Sequence, residues 1–170
     1  DSAASAGTPL DVHVTAKNRI TGHRLPTGTT FIRQVWLALT VTDAKGAMIY
    51  QTGDLDANGD LRDAFSELDP YGDHDLVTLG SRLIDAGGNP TRLSWRAVEH
   101  TSTTLAPLHE RTWTFFVPVA ADTPGPLAVK ARLRFRAYPP HLLRLIGLEE
   151  LVQDLEILEL AAATTAVTVE

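Results

Sequence analysis

The feature that most limits the fold of this chain is a two-residue rhythm of apolar and polar side chains, carried in short runs that Gly, Pro, Asn and Asp keep interrupting. Leu10, Val12 and Val14 alternate with Asp11, His13 and Thr15, and Ile32 to Thr42 sets Val35, Leu37, Leu39 and Val41 on one side. Successive strand side chains point to opposite faces, so each run predicts a strand covered by a core on one face. Asp43-Ala44-Lys45-Gly46 has hairpin-turn chemistry, with Ala47 to Gln51 returning. Further strands are predicted over Leu76 to Leu83, Thr91 to Val98, Arg111 to Val119 and Leu127 to Tyr138, with a last one over Ala166 to Val169 at a sheet edge. At least seven short strands with turns between them predict an all-β fold, an antiparallel immunoglobulin-like β-sandwich.

A single helical stretch interrupts this pattern. Pro139-Pro140 opens a segment from His141 to about Asp154, which Gly147 divides into two short helices. Leu142, Leu145, Leu148, Leu151 and Leu155 recur every three or four residues, so this face is expected to pack on the sandwich. Gly53 to Asp75, rich in Asp and Gly, is expected to be a long surface loop. Residues 1–9, small and polar, are expected to be a trimmed N-terminus or an interdomain linker. That leaves 10–170 as one β-sandwich domain, in keeping with a length of 170 residues.

Composition then excludes several functions. Hydrophobic residues make up 44%, too many for a disordered chain. The longest apolar runs, Val35 to Leu39 and Leu142 to Leu148, fall far short of the roughly 20 residues of a membrane-spanning helix, so a soluble protein with no membrane span is expected. A net charge of -6 and a pI near 5.5 argue against a nucleic-acid partner, which needs clustered cations. Lys130 to Arg136 alternates basic and apolar residues, the pattern of one solvated strand face. The absence of cysteine removes disulfides, thiolate nucleophiles, zinc–thiolate sites and the Cys-x-x-Cys-His attachment of haem.

Two loops and the histidines remain as candidates for chemistry. In Asn18 to Gly28, Gly22, Pro26 and Gly28 constrain the backbone around His23. Its imidazole is suited either to a metal or haem iron or to tying the loop together by hydrogen bonds. In Asp54-Leu55-Asp56-Ala57-Asn58-Gly59-Asp60, oxygen ligands at alternate positions with Gly at the sixth resemble the start of a calcium loop. Asp54, Asp56, Asn58 and Asp60 are therefore the candidate calcium ligands, although Phe65 stands where the bidentate Glu belongs. His13, His74, His100, His109 and His141 show no metal-ligand spacing, and no Ser occupies a nucleophile elbow. Trp36, Trp95 and Trp113 fall in predicted strands and are expected in the core. No catalytic residue emerges, and the chain is expected not to be an enzyme.

The run "KNRITGHRLPTG", followed by "RQVWLALTVTDAKGAMIYQTGDLDANGDL", resembles the C-terminal non-haem β-domain of bacterial multihaem c-type cytochromes. The similarity continues through "GSRLIDAGGNPTRLSWRA", "LAPLHERTWTFFVPV" and "ARLRFRAYPPHLLRLIGL", and Gly-His-x-Leu-Pro-Thr-Gly is its most specific part. The haem-binding block that precedes the domain in those proteins is not in this sequence. The chain is thus a fragment of a larger cytochrome or a stand-alone relative beside a separate haem protein. The resemblance implies a non-catalytic accessory or scaffold module of a periplasmic or cell-surface electron-transfer assembly. Its partners would be multihaem cytochromes or other subunits of that assembly, haem would come only through them, and the His23 loop would be a docking or haem-facing element. The rival readings are a calcium-stabilised adhesion or carbohydrate-binding sandwich, and a metal-dependent enzyme using His ligands.

Overall fold

The computed structural model describes residues 3–170; Asp1 and Ser2, the start of the expected linker, lie outside the described residues. The strands are β1 (Ala3–Ala4), β2 (Leu10–Lys17), β3 (Gln34–Thr42), β4 (Met48–Thr52), β5 (Val77–Leu79), β6 (Ser81–Asp85), β7 (Pro90–Thr91), β8 (Ala97–Ser102), β9 (Glu110–Val117), β10 (Leu127–Arg136) and β11 (Leu158–Val169). The main sheet runs β1-β11-β10-β3-β4, with β5 also pairing β3; β2 pairs β9, and β7-β6-β8 forms a third sheet. The fold is the all-β sandwich expected, and its pairings are antiparallel apart from β1 with β11. Within the segment expected as a linker, Ala3 and Ala4 lie beside Thr168 and Val169, and Ala4 is buried.

Strand β3 is the centre of the molecule and is buried on both faces. On the inner face, Leu37, Leu39 and Val41 meet Val129 and Ala131 of β10, Phe115 and Val117 of β9, and the half-buried Leu10, Val12 and Val14 of β2. Val35 joins Leu79, Leu105, Leu133 and Phe135 in a second cluster. The alternation read in β2, β3 and β9 thus faces one shared core. On the outer face, Trp36 and Ala38 are covered by Leu55, Leu61 and Leu76, so the segment expected as a plain surface loop is a third layer over the sheet. A fully buried indole requires a partner for its N–H, and Trp36 Nε1 donates to the Gly53 carbonyl at 3.0 Å. Gly53 has φ +72°, and a Cβ there would stand 2.3 Å from the Leu37 carbonyl oxygen, so only glycine lets the loop start so close to the sheet.

Several expectations need correction. Leu76 to Leu83 is two strands: β5 pairs β3, while β6 pairs β8 in another sheet. Of the next predicted strand, Thr91 pairs β6 as part of β7 and Ala97 and Val98 open β8; the 3-10 turn Ser94–Arg96 between them leaves Trp95 78% exposed, neither in a strand nor in the core. The last strand begins at Leu158 rather than Ala166, although Leu158 to Ala166 is exposed on both faces and carries no alternation signal. The helical stretch is split at Gly147 as expected, into α1 (Pro140–Leu145) and a 3-10 turn (Glu149–Asp154). Its apolar face is only partly buried: Leu142 and Leu143 pack inward, whereas Leu145, Leu148 and Leu151 are exposed. The basic strand is not uniformly solvated either. Arg136 is 2% exposed, with Nε donating to Gln34 Oε1 at 3.0 Å and Nη1 to the Gly59 carbonyl at 2.7 Å.

Candidate functional site

Three segments gather at one end of the main sheet because of its register. Gln34, which opens β3, lies opposite Arg136, which closes β10, and Phe135 lies opposite Leu158, which opens β11. The loop before β3 and the helical excursion between β10 and β11 therefore leave or return at this end, and the 53–76 loop, which leaves and returns beside Leu39 and Leu37 of β3, reaches it through the Gly59 carbonyl that Arg136 holds. Loops at the end of a rigid sandwich are where binding surfaces are grafted.

The loop carrying His23 is tied by Asn18 instead of the imidazole. Asn18 is 2% exposed; its Nδ2 donates to the carbonyls of His23 at 2.8 Å and Leu105 at 3.1 Å, and its Oδ1 accepts from the Ile20 amide at 3.0 Å. The His23 side chain is exposed. The sequence reading attended to the imidazole and overlooked Asn18, whose short amide at the mouth of a Gly- and Pro-rich loop is the usual local backbone tie.

The three carboxylates among the four candidate calcium ligands are occupied by other groups, and Asn58 is held through its backbone. Asp54 pairs with Arg62 at 2.7 Å. Asp56 Oδ1 accepts from the amides of Asn58 at 2.8 Å and Asp60 at 2.9 Å, and its Oδ2 accepts from Ser66 Oγ at 2.6 Å. Asn58 offers its carbonyl to Arg144 at 3.5 Å. Asp60, fully buried, accepts from the His141 amide at 3.0 Å and from the Arg144 guanidinium. Burial pushes the Asp60 carboxyl up, but the bonds from His141 and Arg144 outweigh it and hold the group below its ordinary value. Among the described residues, no group of three or more His, Asp or Glu could hold a metal ion. The alternate-oxygen spacing arises here because short carboxylates cap the amides of their own turn.

Beside this loop lies a cleft of about 510 Å³, lined by Gln34, Arg62, Asp63, Phe65, Asp73 and Arg92 among others. Arg92 donates to the Phe31 carbonyl at 2.7 Å and faces Asp63 at 3.7 Å; burial lowers its pKa. Its guanidinium lies 4.3 Å over the Phe65 ring, on which His141 stacks at 4.6 Å and 5°. This column joins the 53–76 loop to α1 and to the segment after β7. Gln34 Nε2 and the Nε atoms of Arg62 and Arg92, all on residues of the cleft lining, are buried without an acceptor.

The excursion between β10 and β11 presents a different surface. Leu145 is 64% exposed, Ile146 54%, and Leu148, Leu151, Leu158 and Leu160 are exposed as well. Glu149, Glu150, Asp154 and Glu156 lie among them, all exposed. Among the described residues, β11 from Leu158 to Ala166 is hydrogen-bonded to β10 on one side only, since β1 reaches just Thr168 and Val169. An apolar stretch of this extent, edged by charge, has the composition of an interaction surface.

No protein-family model matches the chain, and no curated protein matches it. Among solved structures, the crystal structure of a penta-heme cytochrome c552 from Thermochromatium tepidum superposes with a TM-score of 0.65 at 20% identity, over 94% of this chain. The chain spans 36% of that protein's length. At this identity the likeness establishes a shared fold. Lacking cysteine, the present chain has no covalent haem-attachment site. No helix of the described residues is long and apolar enough to cross a membrane.

Proposed function

We propose that this protein is a non-catalytic accessory or scaffold module of an extracytoplasmic electron-transfer assembly, periplasmic or at the cell surface, whose haems are carried by a partner. The observation that carries this reading is that almost the whole chain superposes on a portion of a haem protein while carrying no haem attachment of its own. The Gly-His-Arg-Leu-Pro-Thr-Gly segment points the same way, through its resemblance to the non-haem domain of multihaem cytochromes. The module contributes a rigid frame, with three loops collected at one end to hold a haem protein in place. His23, exposed on a loop whose backbone Asn18 holds, is the side chain that loop offers to the partner. The four oxygen-bearing residues of the 54–60 segment act within the fold, bracing the loop, instead of binding calcium.

Affinity purification of the protein from its native extract, with haem measured in the eluate by reduced-minus-oxidised spectroscopy, tests the reading. A c-type haem protein recovered in fixed proportion to the module is the expected result. Recovery of the folded module with no haem signal would sink it.

A further inference from the structure

The charge of this chain is distributed very unevenly. All 15 Lys and Arg residues lie before residue 145, whereas Glu149, Glu150, Asp154, Glu156, Glu159 and Glu170 follow it. The net charge of -6 therefore lies wholly in the last segment. Of its acids, Glu159 sits opposite Arg134 across β10 and β11 and Glu170 lies at the far end of β11, which leaves the four on the helical excursion as the exposed negative rim. Within that rim stand Leu145, Ile146, Leu148, Leu151, Leu158 and Leu160, all exposed. The excursion starts after Arg136 and ends beside Phe135, so both edges of this surface are anchored at the same end of the sheet.

We infer that residues 145–160 form the docking face for a haem protein whose own apolar contact surface is ringed by lysine and arginine. The inference rests on the function proposed above and names the partner's surface chemistry. Two arguments fix the occupant. A second copy of this chain would set an acidic rim against an acidic rim around a two-fold axis, and like charges held together oppose association. A partner of opposite sign gains on approach, because the rim raises its encounter rate, and gains again when the leucines are covered. The superposed penta-heme cytochrome carries further chain beyond the matched 36%, so a sandwich of this shape does occur joined to haem-bearing protein.

The test uses a strongly basic single-haem cytochrome c and an acidic one as probes, with affinity measured by calorimetry at low and high salt. The basic probe is expected to bind and the acidic one not, and the affinity should fall about tenfold or more between 0.05 and 0.5 M salt. Glu150→Lys/Asp154→Lys should weaken binding about tenfold or more, as should Leu145→Ser/Ile146→Ser, with melting temperatures close to wild type because these side chains are exposed. Glu67→Lys/Glu99→Lys makes the same net-charge change elsewhere and should leave binding nearly intact. Equal losses in the two charge pairs would mean attraction by net charge alone and would overturn the inference. So would a dimer in sedimentation that Leu145→Ser/Ile146→Ser dissolves, since a second copy would then cover the face. If the native haem partner is captured but binds these variants as it binds wild type, the docking face is wrong while the proposed function stands. If no haem protein is captured at all, both fall.

Discussion

Replacing Asp60 removes a fully buried carboxylate from a junction of loop and helix, and its cost can be worked from the geometry. In Asp60→Ala the His141 amide loses its acceptor at 3.0 Å, and a buried N–H left unpaired costs about 1–3 kcal/mol. Arg144 loses a charged hydrogen bond, but its side chain is 23% exposed and can turn to water, which places its share at the low end of about 1.5–3 kcal/mol. The total is about 3 kcal/mol, which in a domain of this size lowers the melting temperature by roughly 6–12 °C. Arg144→Ala should cost less, since His141 still caps the carboxylate, and the double variant should fall short of the sum of the two. The pH dependence has a definite sign. The folded pKa of Asp60 lies below its unfolded value, so its ionised form stabilises the fold above the unfolded value. That contribution disappears as the pH falls through the lower, folded value. Urea melts of wild type and Asp60→Asn should therefore differ by a constant amount between pH 5 and 6, and the gap should narrow progressively as the pH falls below about 4. A gap that does not narrow as the pH falls below about 4, or an Asp60→Ala variant within about 0.5 kcal/mol of wild type, would refute the reasoning.

Other outcomes follow from single contacts. Gly53→Ala should destabilise by about 2–4 kcal/mol, because its Cβ would collide with the Leu37 carbonyl and its φ is positive, whereas Gly46→Ala, at φ +81° but in open space, should cost only about 1 kcal/mol; paired thermal melts check the difference. Asn18→Ala should cost about 2–3 kcal/mol by stripping the His23 carbonyl of its donor and the Ile20 amide of its acceptor, while His23→Ala should stay within about 0.5 kcal/mol, as chemical denaturation would show. Added millimolar calcium should leave the melting temperature unchanged, since binding to the folded state alone would raise it and the Asp54, Asp56 and Asp60 carboxylates are already engaged; calorimetric scans with and without the ion decide this.

The parts of the fold legible in the sequence were those whose burial is one-sided and local. Leu10, Val12 and Val14, or Phe115 and Val117, alternate because one face of their strand meets the core and the other meets water. The start of β11 escaped notice because Leu-Glu-Leu-Ala-Ala-Ala-Thr-Thr has no alternation, and alanine is a poor strand former. Its strand character comes from β10, an element distant in sequence. Trp95 was misplaced because a Thr- and Leu-containing run reads as strand until one knows that the chain turns at Ser94. At the candidate site, the constrained loop around His23 was legible, but its tie was not, because Asn18 reaches across to Leu105. The role of Asp60 was hidden for the same reason, its partners lying on α1. The exposure of Leu145, Leu148 and Leu151 was equally out of reach, for a helical stripe announces an apolar face without saying whether its cover is in the same chain.

The position of β3 bears on how the molecule is made. Its hydrogen bonds run to β4 and β5 nearby, but the other edge is completed only by β10, much later in the chain, just as β2 waits for β9. Chains closed by such distant pairings fold in milliseconds to seconds, since the entropy of a long loop is lost before its contacts form. Until β10 arrives, Val35-Trp36-Leu37-Ala38-Leu39 is an uncharged, β-prone run with one bare edge, the most adhesive stretch of the nascent protein. The 53–76 segment, whose leucines cover Trp36 and Ala38 in the folded protein, follows the central strand closely in the chain, so the cover for one of its faces is synthesised well before its last neighbour.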